Sequence, residues 1–259
     1  MDIQSLRTEL ERQGQLIDGL AKDIQSIKAE LKERKKDGLV LESDEHNSSS
    51  HTLGCTDGKS SGINEMLIPK FSSQPFKVAC DAETRGGGWT IILRRMDGSV
   101  DFYRNWTEYK EGFGDLNGEF FLGLDKIHAL TTDRRQELLV VLEDNEGNAA
   151  IEMYDNFAIG DEDHQYVLHT LGNATGTAGD SLRRQYRMAF STYDRDNDQW
   201  ELGNCAAVEN GAWWYSWCHE SNLAGMYNNN TNGKGVNWIT FKGYYISLKR
   251  AVMMIRPKE

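Results

Sequence analysis

Between Asp194 and His219 the chain gathers residue types that carry chemistry. Asp194, Asp196 and Asp198 alternate with Arg195 and Asn197, and Cys205 and Cys218 follow, thirteen positions apart. Alternating carboxylates in a turn can converge their oxygens on one hard cation, which is what calcium requires. An EF-hand loop is excluded, because Gln199 stands where its glycine must be and Cys205 where its bidentate glutamate must be. A turn whose Asp and Asn side chains satisfy their own backbone is the competing reading. Trp200, Trp213, Trp214 and Trp217 supply stiff apolar surface around this motif. A short cysteine loop staples a segment that has few aliphatic residues of its own.

Catalysis finds no such concentration. The chain has no G-x-S-x-G and no H-E-x-x-H, and its four cysteines form two sequence-local pairs that read as two disulfides. The acidic run Asp161-Glu162-Asp163-His164 is explained by a solvated loop. These residues predict a binding protein and no enzyme.

The elements that must position the motif follow from length and patterning. The 259 residues have room for one sizeable domain plus an appendage, and 39% hydrophobic content suits a folded core. A net charge of −11 without a basic stripe excludes nucleic acid as partner. No apolar run approaches the ~20 residues that span a bilayer. Disulfides point to an oxidising, extracellular compartment. The opening Met-Asp-Ile-Gln has no signal-peptide character, so such a segment is expected to have been trimmed or to lie upstream.

Over residues 1–36, Ile3, Leu10, Ile17, Ile24 and Leu31 recur at one heptad position and Leu6, Leu20 and Ile27 at the other, interrupted by Gln13 and Arg34. Asp23 with Lys28 and Glu30 with Lys35 have the spacing of interchain pairs, so a coiled coil joining a homo-oligomer of two or three chains is expected. Residues 37–54, with Glu42-Ser43-Asp44-Glu45-His46-Asn47-Ser48-Ser49-Ser50, read as a flexible linker. Asn47, Asn105, Asn173 and Asn229 open glycosylation sequons. Residues 55–259 read as one domain. Strands are expected at Phe76–Cys80, Trp89–Leu93 and Glu137–Leu142, a helix at Asp125–Leu130, and mostly loops from about residue 194 onward.

Ordered motifs in this domain resemble the fibrinogen C-terminal domain of ficolins, tachylectins, angiopoietins and the fibrinogen chains. They include Gly86-Gly87-Gly88-Trp89-Thr90, Arg94-Arg95-Met96-Asp97-Gly98-Ser99, Gly118-Glu119-Phe120-Phe121-Leu122-Gly123, Gly211-Ala212-Trp213-Trp214-Tyr215, Cys218-His219 and Lys242-Gly243-Tyr244. The resemblance implies an α+β domain in three parts: a small disulfide-bound start, a central antiparallel sheet with helices, and a loop-rich end. It implies the pairs Cys55–Cys80 and Cys205–Cys218. It also implies a structural calcium ion on Asp196 and Asp198 with backbone carbonyls before the first cysteine of the loop, for which Trp200 and Gly203 are the candidates.

The same resemblance implies a pocket beside the calcium loop, which in ficolin-like members holds an acetyl group. Its parts here are a cis Trp217–Cys218 bond, His219 and the wall aromatic Tyr244. Two positions depart from the acetyl-binding pattern: Glu209 replaces an aromatic, and Asn232-Gly233 replace an aromatic followed by alanine. The fibrinogen pocket that takes a cationic peptide end is acidic at the position of Glu209. The expectation is a secreted, calcium-binding lectin of innate-immune type that binds acetylated carbohydrate on microbial surfaces multivalently. The alternative is an angiopoietin-like or fibrinogen-like module that recognises a polypeptide receptor.

Overall fold

A computed structural model of the chain describes residues 55–56 and 60–258. The coiled coil and linker expected over 1–36 and 37–54 lie outside the described residues. The remainder is built on a ten-stranded antiparallel sheet. Its main path runs β1 (Gly62–Met66), β2 (Phe76–Asp81), β3 (Trp89–Arg95), β12 (Arg250–Pro257), β6 (Gln136–Glu143), β7 (Ala149–Ala158), β8 (Thr170–Leu171). The short β4 (Phe113–Gly114) and β5 (Phe120–Phe121) extend from β3, and β9 (Ala174–Gly176) pairs with β7.

Two expected strands, at Trp89–Leu93 and Glu137–Leu142, are mostly apolar runs, and they sit in the middle of the sheet. Trp89, Ile92, Leu93, Leu138, Leu139, Val140 and Leu142 are almost wholly buried. Two helices precede β6. The first, α1 (Trp106–Glu111), starts in a capping box: the Asn105 side chain accepts from the Glu108 N–H and the Glu108 carboxylate accepts from the Asn105 N–H. The Asn105 sequon thus supplies a helix cap. In the second, α2 (Leu124–Asp133), Leu124, Ile127 and Leu130 recur every three residues and bury one face.

The expectation of a loop-dominated C-terminal part holds only to residue 249. There the chain makes short pieces: α3 (Cys205–Val208), β10 (Ser221–Asn222), β11 (Asn237–Trp238) and α4 (Ile239–Lys242). It then returns as β12, which lies between β3 and β6 and pairs with β6 over eight residues. Ala251-Val252-Met253-Met254-Ile255 is a short apolar run whose periodicity does not tell strand from buried helix. Two flanking strands with open edges decide it.

The loop-rich segment is anchored by indoles. Trp214 Nε1 donates to the Tyr166 carbonyl at 2.8 Å, Trp238 Nε1 to the Gly179 carbonyl at 2.7 Å, and Trp213 Nε1 to Ser221 Oγ at 3.3 Å. Trp213 and Trp214 meet edge to face at 5.1 Å, and Trp214 meets Phe190 likewise. Each large ring thus supplies apolar area and one donor to a stretch poor in sheet hydrogen bonds. Disulfides join Cys55 to Cys80 and Cys205 to Cys218.

Candidate functional site

The three alternating aspartates do not act together. Asp194 turns toward α1: its Oδ1 accepts from the Trp106 N–H at 3.0 Å and from Thr192 Oγ1 at 2.7 Å. Asp198 faces its own loop, accepting the N–H of Trp200 on Oδ1 and that of Cys205 on Oδ2, each at 2.7 Å. Asp196 Oδ1 accepts the Asp198 N–H at 3.2 Å. Burial, and secondarily the Asp196 carboxylate beside it, push the Asp198 carboxyl above its ordinary range. Two carboxylates held this way repel when both are ionised, and a shared cation relieves that repulsion. The Trp200 carbonyl accepts the Gly203 N–H at 3.1 Å. A Cβ on Gly203 would lie 2.7 Å from the Trp200 ring, so the indole closes over this glycine. Among the described residues no three His, Cys, Asp or Glu side chains gather as a metal group. The donors present are hard oxygens from two carboxylates and the loop backbone, a set that fits calcium completed by carbonyls and water.

Beyond Cys205, α3 carries the chain to Glu209. Asn204 caps this turn by accepting the Ala207 N–H. The disulfide then ties the start of α3 to Cys218, and the Trp217–Cys218 peptide is cis. Around it lies a cavity of about 380 Å³. All six residues named as ligand-binding from the sequence line it: Glu209, Trp217, Cys218, His219, Asn232 and Tyr244. Trp200, Val208, Gly233 and Tyr245 complete the wall. Trp217 and Tyr245 stand at the rim, 68% and 63% exposed, while His219 is buried.

One carbonyl organises the floor. The Gly233 oxygen accepts from His219 Nε2 at 3.1 Å, from Asn222 Nδ2 at 3.2 Å and from Asn237 Nδ2 at 3.0 Å. A carbonyl only accepts, so the His219 proton sits on Nε2 in the neutral ring, leaving Nδ1 as an acceptor. That Nδ1 is buried and has no hydrogen-bond partner. Asn222 also donates to the Glu209 carbonyl at 3.3 Å and accepts from the Tyr215 hydroxyl at 2.9 Å. The Tyr244 hydroxyl donates to the His219 carbonyl at 3.0 Å, and burial raises the Tyr244 pKa, which keeps that donor protonated.

The Glu209 side chain lines the cavity beside this frame. Its Oε2 lies 3.8 Å from His219 Nε2, beyond hydrogen-bond reach, and is buried without a hydrogen-bond partner. A desolvated carboxylate oxygen of this kind is costly to leave unpaired. The carboxylate borders the aromatic-walled cavity, where a ligand's cationic group would meet its charge.

Sequence reasoning missed Val208 and Tyr245, which flank the named residues. It assigned Trp200 a carbonyl role, whereas its ring also walls the cavity. Asn222 and Asn237 brace the floor from outside it, and the sequence reading named neither as a site residue.

Residues 50–258 match the family model described as fibrinogen beta and gamma chains, C-terminal globular domain. The chain belongs to the fibrinogen C-terminal family. It is 48% identical to ryncolin-4 of Cerberus rynchops over 185 residues, which is 70% of this chain and 53% of that protein. It is 42% identical to tenascin of Gallus gallus over 77% of this chain and 11% of that one. The fibrinogen-family chain thus spans about half of one relative and a small part of the other. Among solved structures, the fibrinogen-like globe domain of human ANGPTL2 matches at 42% identity and TM-score 0.74, covering 78% of this chain and 95% of that one. The lamprey fibrin D-dimer, complexed with the peptide Gly-His-Arg-Pro-amide, matches at 29% identity and TM-score 0.73 over 98% of this chain and 91% of that one.

Proposed function

We propose that this chain is an extracellular, calcium-stabilised recognition module whose pocket takes a cationic group, an amino terminus or guanidinium presented by a polypeptide. The observation that carries the reading is the Glu209 carboxylate on the wall of an aromatic-lined cavity, with no hydrogen bond to its buried Oε2. An ammonium or guanidinium would pair with this carboxylate through a charge-assisted hydrogen bond. The lamprey relative, solved with a peptide that begins at glycine and contains arginine, supports the same chemistry. The two disulfides suit an oxidising, secreted setting. If residues 1–36 form the coiled coil their heptads suggest, several weak pockets act together and gain avidity, by ~100-fold or more when geometry permits.

A second reading, a lectin of innate-immune type that binds acetylated carbohydrate, is favoured by a different observation. Cys218, His219 and Tyr244, the residues the resemblance to ficolin-like members points to, line one cavity.

Calorimetric titration of the calcium-loaded chain separates the two. The ligands are a Gly-His-Arg-Pro peptide with a free amino terminus, the same peptide acetylated, and N-acetylglucosamine. The first reading expects the free-amine peptide to bind, and Glu209→Gln to weaken it by about tenfold or more. Saturable binding of N-acetylglucosamine alone, lost in His219→Ala, would overturn it in favour of the lectin.

A further inference from the structure

A second cavity shares no residue with the Glu209 pocket and lies on the sheet itself. Side chains alternate across a strand, so Arg250, Val252 and Met254 of β12 share one face. Val252 pairs with Arg94 on one side and with Val141 on the other, and Met254 pairs with Ile91. Ile91 pairs in turn with Ala79, and Ala79 with Ile63 of β1. These residues line a cleft of about 300 Å³, the lower end of the usual range for small-molecule sites.

Its lining carries two cations, Arg94 and Arg250, against one acid, Asp81. Arg94 and Arg250 are diagonal neighbours on that face, separated by one register step. Arg94 is held by carbonyls, donating to Gly118 at 2.7 Å and to Leu116, and the Asp115 carboxylate attracts it without a hydrogen bond among the described residues. Burial, and after it the Arg250 charge, lower the Arg94 pKa. Arg250 is exposed and makes no hydrogen bond or ion pair among the described residues. The carboxylate opposite it, Glu143, is taken by Lys249 Nζ at 3.1 Å. Asp81 also borders the cleft and attracts Arg250, while its oxygens accept from the Thr84 N–H, the Thr84 hydroxyl and the Glu83 N–H and form no hydrogen bond to Arg250 among the described residues. Two guanidinium groups therefore stand over an apolar floor in a chain of net charge −11. An anion alone would leave the floor wet, and an apolar molecule alone would leave the cations facing each other.

We propose that this cleft binds a medium-chain aliphatic carboxylate, its head between Arg94 and Arg250 and its tail on Ile63, Ile91, Val141 and Val252. The probe is octanoate, titrated calorimetrically into the full chain, with acetate and octanol as comparisons. Octanoate should bind saturably, and acetate and octanol should each bind at least about tenfold more weakly. Arg250→Gln should weaken octanoate by about tenfold or more, as expected for losing a charged hydrogen-bond partner. Its unfolding temperature should not change, since Arg250 is exposed and unpaired. Ile63→Ser should weaken octanoate about threefold while leaving the head contacts in place. Absence of octanoate binding to the wild type, octanol binding as tightly as octanoate, or an Arg250→Gln variant that binds octanoate like wild type would each overturn the proposal.

Discussion

Glu209 and Gly233 occupy each other's space: a Cβ on residue 233 would stand 2.4 Å from Glu209 Oε2. Gly233 also has φ of +79°, a conformation that side chains with a Cβ rarely adopt. The carboxylate in the pocket and the bare backbone beside it are one adaptation in two places. Alanine at 233 would push the end of the Glu209 side chain out of its present place.

Gly233→Ala should therefore destabilise the chain by about 1–2 kcal/mol from the left-handed backbone alone, with the clash adding to it. Urea unfolding measures the total. The double variant Glu209→Ala/Gly233→Ala should recover the steric share and keep the backbone share. A single variant as stable as wild type would show that the loop relaxes freely and that the pairing is incidental.

Calcium should stabilise the wild type by about 2.7 kcal/mol at a hundredfold excess over Kd, with roughly 2–4 °C of unfolding temperature per kcal/mol in a domain of this size. Replacing Asp196 and Asp198 by Ala should abolish that gain, leaving the variant indifferent to chelator in differential scanning calorimetry. A calcium-dependent shift that persists in the double variant would place the ion elsewhere. Asp194→Ala is expected to differ, weakening the α1 anchor without removing the calcium response.

Asp144 gives the pH dependence a sign. It is buried in the turn between β6 and β7 and paired with Lys242 at 2.5 Å, just before the Tyr244 wall. Lys242 first, then the Asn148 amide, hold its carboxyl far below the usual carboxylate range. A depressed acid contributes stability that is fully present above the unfolded value of about 4. That contribution is lost as pH falls through the folded value. The gap in unfolding temperature between wild type and Asp144→Asn should be widest near neutral pH and narrow steadily below about pH 4. A gap independent of pH would mean that hydrogen-bond geometry, and not charge, carries the effect.

Glu119 and Arg95 form a buried pair at 3.6 Å that joins two loops. The carboxylate accepts the N–H groups of Met96, Asp97 and Val100, and the guanidinium donates to the carbonyls of Leu223 and Gly225. Glu119→Ala would leave Arg95 charged and uncompensated, with an expected loss of about 3–5 kcal/mol in denaturant unfolding. A loss under about 1 kcal/mol would indicate that water reaches the site.

The early strands and α2 were legible in the sequence from apolar runs, and the presence of two disulfides from the local grouping of the cysteines. The disulfide pairing and the six residues that line the pocket were legible only through the family resemblance that the ordered motifs around Trp213 and Cys218 carry. Tertiary structure decided what depends on groups distant along the chain. It turned Asp194 away to Trp106, drew Ala251–Ile255 into the centre of the sheet, and gathered His219, Asn222 and Asn237 on the Gly233 carbonyl. It also left Glu209 Oε2 without a partner. Residue type and spacing fix what a side chain can offer; whether that offer is already taken depends on which backbone groups the fold brings within about 3 Å of it.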